Sequence, residues 1–277
     1  NESSLHRNVG LVLETRPDEI TYEELAWMRK LGATKLQLGA QSLNDEILKI
    51  NRRGHTTEQT IRAMNRARAA GYKLVLHWMP NLLGATPEGD AEDFRKLWSD
   101  VNNKGGLCPD EIKIYPTQLL KNAELYTYWQ RGEYRPYTEE ELIHLLADVK
   151  ATVPQYCRVN RVIRDIPSTN VVAGNKRTSL RQDAILEMTS RGIACQCIRC
   201  REVRQERIDA SQLALRDIVY QPDYLAGEAA TEEHFISYVT PNDNIAGYLR
   251  LSLPVHVEGE RDSNLNDLRE SAIIREI

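Results

Sequence analysis

Cys195-Gln-Cys197-Ile-Arg-Cys200 places three thiols within six residues. Thiolates gathered in this way suit a tetrahedral zinc ion, and three ligands leave a fourth to come from elsewhere. Cys157 is the nearest candidate in sequence. The plainer reading is a set of free thiols in a turn, but chance seldom gathers three of only five cysteines so closely. A redox role for the Cys-x-x-Cys has less support, because no thioredoxin-like strand precedes it. Cys108 stands alone and reads as a packing residue.

Other chemistry-bearing residues recur at the ends of short apolar runs. Glu14-Thr-Arg-Pro-Asp18 follows Val9–Leu13 and ends it with a carboxylate. A buried Glu must be paired or must face a site. Gly39-Ala-Gln41-Ser42 ends a second run with an amide that can both donate and accept, as ribose recognition requires. Asn51-Arg52-Arg-Gly-His55 is a basic loop able to hold a carboxylate or phosphate, or else an ordinary helix terminus carrying cations.

A third group is basic. Arg158, Arg161 and Arg164 are three apart, and on a strand they fall on alternating faces. Lys176, Arg177, Arg181, Arg199, Arg201 and Arg204 continue the block. Its polar interleaving suits contact with a phosphate backbone better than base reading.

The elements that must position these groups alternate between two periods. Apolar runs at Val9–Glu14, Lys35–Gly39, Lys73–Met79, Glu111–Tyr115 and Arg158–Ile163 read as strands, the first as one buried on both faces. Helices are expected at Thr21–Leu31, Asp45–Ile50, Glu58–Ala70, Ala91–Val101, Ala123–Gln130 and Glu139–Thr152, the first opened by a Thr21–Glu24 capping box. This order implies parallel strands with right-handed crossovers, in a partial βα barrel or a doubly wound sheet. Either way the site belongs at the carboxyl ends of the strands, at Glu14–Arg16, Gly39–Ser42, His77–Gly84 and Tyr115–Gln118. After residue 204 the pattern becomes antiparallel: His234–Val239 and Ile245–Leu253 form a hairpin, 258–266 a polar loop, and Ser271–Ile277 begins another strand. A hairpin and one strand cannot make a core alone, so this second domain is expected to be incomplete.

Charge sharpens the picture. The 277 residues carry a net charge of −4, which taken alone speaks against a nucleic-acid partner. The average conceals segregation: residues 150–207 hold 12 basic and 5 acidic residues, while 208–277 hold 5 and 13. The basic island is either a solvated face or an electrostatic footprint for phosphate. Apolar residues at 41% imply a real core, and no apolar run approaches the roughly 18–20 residues that span a bilayer. Asn1–Asn8 is polar, so no signal peptide is read, and a cytoplasmic protein with reduced thiols is expected.

Glu14-Thr-Arg-Pro-Asp18, Leu38-Gly-Ala-Gln-Ser42, Asn51-Arg-Arg-Gly-His55, Lys113-Ile-Tyr-Pro116, Arg131-Gly-Glu-Tyr-Arg-Pro-Tyr137, Arg164-Asp-Ile-Pro167 and Cys197-Ile-Arg-Cys-Arg-Glu-Val203 occur in this order. Together they resemble the catalytic subunit of the Elongator complex in its single-chain bacterial or archaeal form, from about residue 6 to residue 277. The resemblance implies an α/β fold: a partial, TIM-like radical S-adenosylmethionine barrel over 1–194, a zinc-binding junction over 195–207, and the first part of a GNAT-like α+β acetyltransferase domain over 208–277. It implies modification of the tRNA wobble uridine at carbon 5, with a carboxymethyl-type group drawn from acetyl-CoA by radical chemistry. Glu14, Gln41 and Arg52 are implied S-adenosylmethionine contacts, and His77 falls where related enzymes often have a ribose-binding acid. Met79-Pro-Asn-Leu-Leu-Gly84 looks like the adenine-side segment, with Asn81 where glycine is usual. Zinc on Cys195, Cys197 and Cys200 would fix the junction. Arg158, Arg161, Arg164, Lys176, Arg177, Arg181, Arg199 and Arg201 would hold the tRNA anticodon stem loop. No membrane is implied, and a homodimer is allowed.

Two further expectations follow from the resemblance. The [4Fe–4S] cysteines are expected before residue 1 and the acetyl-CoA pyrophosphate loop after Ile277, so the 277 residues by themselves are expected to be inactive. The rival readings are a histone-type lysine acetyltransferase, a radical enzyme acting on a small molecule such as a porphyrin, and a non-catalytic tRNA-binding scaffold. A histone-tail site calls for acidic surroundings, whereas the island here is basic.

Overall fold

A computed structural model describes residues 3, 5, 6, 8–98, 102, 104–163, 166–205, 207–255 and 271–277. Arg164 and the polar loop 258–266 lie outside the described residues.

Five strands, β1 (Leu11–Thr15), β2 (Ala33–Gln41), β3 (Lys73–Trp78), β4 (Glu111–Ile114) and β6 (Arg158–Arg161), form one parallel sheet. Its order is β1-β2-β3-β4-β6. Each strand lies beside its predecessor, so the sheet grows in one direction only. Right-handed crossovers then all fall on one face, as in a barrel; a doubly wound sheet would reverse direction. The crossover helices are α1 (Tyr22–Lys30), α2 (Asp45–Ile50), α3 (Thr57–Ala69), α4 (Pro87–Arg95), α5 (Leu125–Gln130) and α6 (Glu139–Ala151). Local chemistry sets their ends. The Thr21 side chain accepts from the Glu24 N–H, and complete capping boxes form at Thr56–Gln59 and Thr138–Glu141. Thr60, Ala63, Met64 and Ala67 recur at helical spacing and bury the core-facing stripe of α3.

Leu36 and Leu38, Leu74 and Leu76, Ile112 and Ile114, and Val159 are fully buried in one core with residues of these helices. The opposite face is polar. Register pairs Glu14 with Gln37, Lys35 with Lys73, His77 with Lys113 and Glu111 with Arg158 across it. The expectation that the first strand is buried on both faces is therefore corrected: Val12 is 44% exposed. Along each strand the residues of that inner face alternate with the core residues at period two.

The chain after residue 208 forms a second sheet: β8 (Ala214–Tyr220), β9 (Ala230–Val239), β10 (Ile245–Val255) and β11 (Ile273–Glu276), in the order β11-β10-β9-β8. The hairpin is present, and β8 adds a strand that the sequence pattern did not mark. This sheet does not build its own core. Tyr220, Phe235, Val239 and Ile245 join the same buried cluster as the barrel. Arg275 donates to Asp110 and the Tyr72 carbonyl, and Arg250 donates to the Tyr156 carbonyl. Tyr72, Asp110 and Tyr156 all stand at the starts of barrel strands. The antiparallel sheet therefore closes the amino ends of the barrel and leaves the carboxyl ends for chemistry.

Two small elements, β5 (Leu119–Leu120) and β7 (Val171–Ala173), pair antiparallel. Helices α7 (Leu180–Ser190) and α8 (Ile198–Arg201) complete the chain. Among the described residues no helix is long and apolar enough to cross a membrane.

Candidate active site

Four inner-face side chains meet toward the carboxyl ends of β1 to β4. Lys113 Nζ donates to Gln37 Oε1, and His77 Nε2 lies 2.9 Å from that same oxygen. His77 Nδ1 faces Glu14 Oε1 at 3.5 Å. His77 is 5% exposed and Glu14 61%, so the carboxylate forms the open end of the group. The Tyr115 ring stands edge-on to His77. Below them Glu111 binds Lys35, Lys73 and Asn160. Two sequence-predicted residues, Glu14 and His77, are thus neighbours. Gln37 and Lys113 complete the group and were missed, because only the strand register sets them beside His77.

The loops above are held by buried carboxylates. Asp93 accepts from Ser42 Oγ, the Leu43 N–H and Trp78 Nε1, fixing the turn after β2. Asp90 accepts from the Asn81 N–H at 2.7 Å and from Tyr137 Oη at 2.8 Å. Burial pushes the Asp90 carboxyl up to about 7 against these two donors. Asn81 has φ +64, the left-handed conformation that glycine usually fills and that asparagine tolerates. Its side chain accepts from the Tyr137 N–H and donates to the Arg135 carbonyl, which ties the loop after β3 to the Arg131–Tyr137 segment.

Gln41 and Arg52 also have positive φ, +68 and +52. Backbone strain of this kind gathers at functional loops. A Cβ on Gly39 would meet Gln41 Nε2 at 3.1 Å, so the backbone there is closely approached. The Arg52 side chain turns outward to Glu124 at 2.9 Å and is not part of the inner-face group. Thr117 Oγ1 and Gln118 Oε1, just past the carboxyl end of β4, are buried without a hydrogen-bond partner. Such atoms call for a partner that the described residues do not supply.

The Cys195, Cys197 and Cys200 sulfurs lie within 4.8 Å of one another, close enough for one tetrahedral metal. Cys157 is not in the group, and the expectation of it as a fourth ligand is corrected. It is buried at the start of β6, where its carbonyl accepts from the Ile198 N–H, and burial raises its thiol well above the ordinary range. Cys108 lies in the core as expected. Hydrogen bonds among the three thiols favour the Cys197 thiolate and hold the Cys195 and Cys200 thiols up, and Lys150 Nζ, buried with no hydrogen-bond partner among the described residues, adds a smaller pull toward thiolate on all three. A buried ammonium calls for an anion, and a metal held by three thiolates is one. The triad stands beside β6 and Glu14 on β1, at opposite edges of the parallel sheet.

Residues 2–97 match the Radical SAM superfamily, and residues 109–190 match the Radical_SAM C-terminal domain. The chain is 38% identical over 257 residues to the tRNA uridine(34) acetyltransferase of Methanocaldococcus infernus, covering 92% of this chain and 47% of that protein. It is 34% identical over 252 residues to Elongator complex protein 3 of Homo sapiens, covering 91% and 45%. The chain carries both radical SAM domain matches and is similar to the Elongator protein 3 proteins. It spans about half the length of these curated relatives. Among solved structures, the archaeal M. infernus Elp3 lacking residues 1–46 superposes with a TM-score of 0.85 at 35% identity, over 99% of this chain and 63% of that one. That coverage takes in the antiparallel sheet, so its place beneath the radical SAM barrel is shared with the relative.

The basic island of this radical SAM chain is mostly committed to structure. Arg201 is buried and donates twice to Asp243, which removes it from any surface. Arg181 and Arg199 donate to the Val159 and Asn160 carbonyls of β6. Arg158 is paired with Glu202. Arg177 is half exposed and paired with Glu139 and Asp183. Lys176 and Arg161 are exposed. A linear count of arginines cannot separate those spent on carbonyls from those offered to solvent.

Proposed function

We propose that this chain is the radical S-adenosylmethionine core of an enzyme that modifies the wobble uridine of tRNA at carbon 5 with a carboxymethyl-type group derived from acetyl-CoA. The observation that carries the reading is the Glu14–His77–Gln37–Lys113 group at the open end of the barrel. The kinship with tRNA uridine(34) acetyltransferases supplies the substrate.

Glu14, His77 and Gln41 would hold S-adenosylmethionine, with Thr117 and Gln118 as added contacts. Arg52 would join them on exchanging its Glu124 partner. S-adenosylmethionine held there, with a [4Fe–4S] cluster, would supply the radical chemistry of the reaction. The chain's own residues do the positioning. Lys113 and Glu14 set the charge of the inner face, Asp93 and Asp90 hold the loops that shield it, and the antiparallel sheet excludes water from below. Residues 208–277 would begin an acetyltransferase-like domain whose remainder binds acetyl-CoA. A zinc ion on Cys195, Cys197 and Cys200 would fix residues 195–207, which link β6 to the β9–β10 hairpin through the Ile198–Cys157 and Val203–Ile245 hydrogen bonds. Arg161, Lys176 and Arg177 would meet phosphates of the anticodon stem loop.

The test is direct. The full-length protein, reconstituted with its cluster, is incubated with acetyl-CoA, S-adenosylmethionine and tRNA. Mass spectrometry of the nucleosides should find a new group on uridine 34. Unmodified tRNA with a protein that acetylates lysine peptides would refute the reading.

A further inference from the structure

The β5–β7 ribbon stands on the rim of the barrel mouth, because β5 follows the carboxyl end of β4 and β7 follows that of β6. Beside it lies an open cavity of about 710 Å³. That volume falls within the range of small-ligand sites. Leu120, Val171 and Val172 give the cavity aliphatic walls, while Lys121, Asn122 and Asn170 give it polar groups. Among the described residues no acidic side chain lines it. An unpaired RNA base needs two things of a protein: a surface against its face, and donors and acceptors for its edge. A carboxamide both donates and accepts, so two of them can meet the edge of a base.

The ribbon also carries cations. Gln118 Nε2 donates to the Asn175 carbonyl at 2.8 Å. The Asn175 side chain donates to the Arg177 carbonyl and accepts from the Arg177 N–H. These bonds tie the turn bearing Lys176 and Arg177 to the residue that precedes β5. Lys121 and Lys176 are exposed. Phosphates flanking a base in the cavity would therefore meet positive charge. The cavity lies on the β4–β6 side of the sheet, whereas Glu14 is on β1. From β1 to β4 is three strand spacings, about 14 Å. One base cannot occupy both places.

We propose that this cavity binds an unpaired tRNA base next to uridine 34, with Asn122 and Asn170 at its edge and Leu120, Val171 and Val172 against its face. The proposal deepens the reading of the chain as a tRNA-modifying core and rests on it. Enzymes that act on a base take it out of the stack. Holding a neighbour in the cavity opens the loop and frees uridine 34 to enter the barrel mouth.

The experiment measures binding of anticodon stem loops to full-length protein, each loop nucleotide being made abasic in turn. Wild type should lose about tenfold in affinity at one position flanking uridine 34. The double variant Asn122→Ala, Asn170→Ala should bind the intact loop about tenfold more weakly and lose almost nothing further at that position. Thr169→Trp, which places a large ring on the cavity wall, should do the same with both amides present. Both variants should keep the wild-type salt dependence, because neither removes a cation. All three altered residues are exposed, so the melting temperature should not move. Variants that bind every loop as wild type does, or that lose affinity equally at every abasic position, overturn this inference alone. Coupling to uridine 34 itself also overturns it, since the cavity would then hold the target. Wild-type protein that binds no tRNA overturns the reading beneath it as well.

Discussion

Arg275 and Asp110, 165 residues apart in sequence, form a two-pronged ion pair with Nη1–Oδ2 2.5 Å and Nη2–Oδ1 2.9 Å. Both side chains are fully withdrawn from solvent. The same guanidinium holds Glu233, and Arg250 approaches Asp110 from β10. Burial alone would raise the Asp110 carboxyl, but Arg275 and Arg250 hold it well below the usual carboxylate range. Arg275→Met would strand two buried carboxylates and should cost about 3–5 kcal/mol in urea unfolding. Adding Asp110→Asn should recover part of that loss, because the two changes share one network. A cost under about 1 kcal/mol would show that this pair does not fasten the sheet to the barrel.

Asp90 gives the opposite pH behaviour. Its folded pKa is raised from 3.8 to about 7, chiefly by burial. The fold thus favours the protonated acid, and the stability this contributes is present at low pH. It is lost progressively as pH rises from about 4 to about 7. Asp90→Asn keeps an oxygen for the Asn81 N–H and removes the titration. The stability of the variant relative to wild type should therefore rise by roughly 2–4 kcal/mol across that window and level off above it. Thermal melts of both proteins from acid to neutral pH provide the check, and parallel curves would contradict the assignment.

The thiol triad should hold one zinc per chain by elemental analysis. Chelation should lower the melting temperature and release the Cys195–Cys200 segment to proteolysis. Lys150→Met should weaken metal retention about tenfold or more while leaving the other secondary structure intact, because it removes the ammonium that balances the thiolates. Equal retention in wild type and Lys150→Met would show that the ammonium has no such part.

Exchanging Arg161, Lys176 and Arg177 together for Glu should weaken tRNA binding about tenfold or more and flatten its salt dependence. Adding Arg158→Glu should also loosen the contact with Glu202. Arg201→Ala should instead destabilise the fold through Asp243 and leave the salt slope of the surviving folded protein unchanged. Equal effects on affinity from Arg201 and from the exposed cations would contradict this division.

The barrel was legible because strand and helix periods alternate cleanly from Leu11 to Arg161, with threonine caps at predictable helix starts. Glu14, Gln41 and His77 stood out as candidates because polar side chains that end apolar strand runs stand where a βα barrel builds its site. The polar inner face was not legible. Val12 and Glu14 read as an apolar run ending in a carboxylate, since a single strand cannot reveal which of its faces is exposed. Gln37 and Lys113 became visible only when register set them beside His77. The partnership of Asp110 with Arg275 depends on a contact between distant segments, which no local pattern encodes. Asn81 looked like a departure from the family, but its φ of +64 keeps the conformation that glycine would give.

The central claim is that the open end of the barrel, at Glu14 and His77, binds S-adenosylmethionine. Equilibrium binding of S-adenosylmethionine to full-length protein tests it most directly, comparing wild type with Glu14→Ala, His77→Gln and the remote control Glu187→Ala. Glu14→Ala and His77→Gln should each weaken binding about tenfold or more, and Glu187→Ala should match wild type. Unchanged affinity in both Glu14→Ala and His77→Gln would place the cofactor elsewhere and contradict the account.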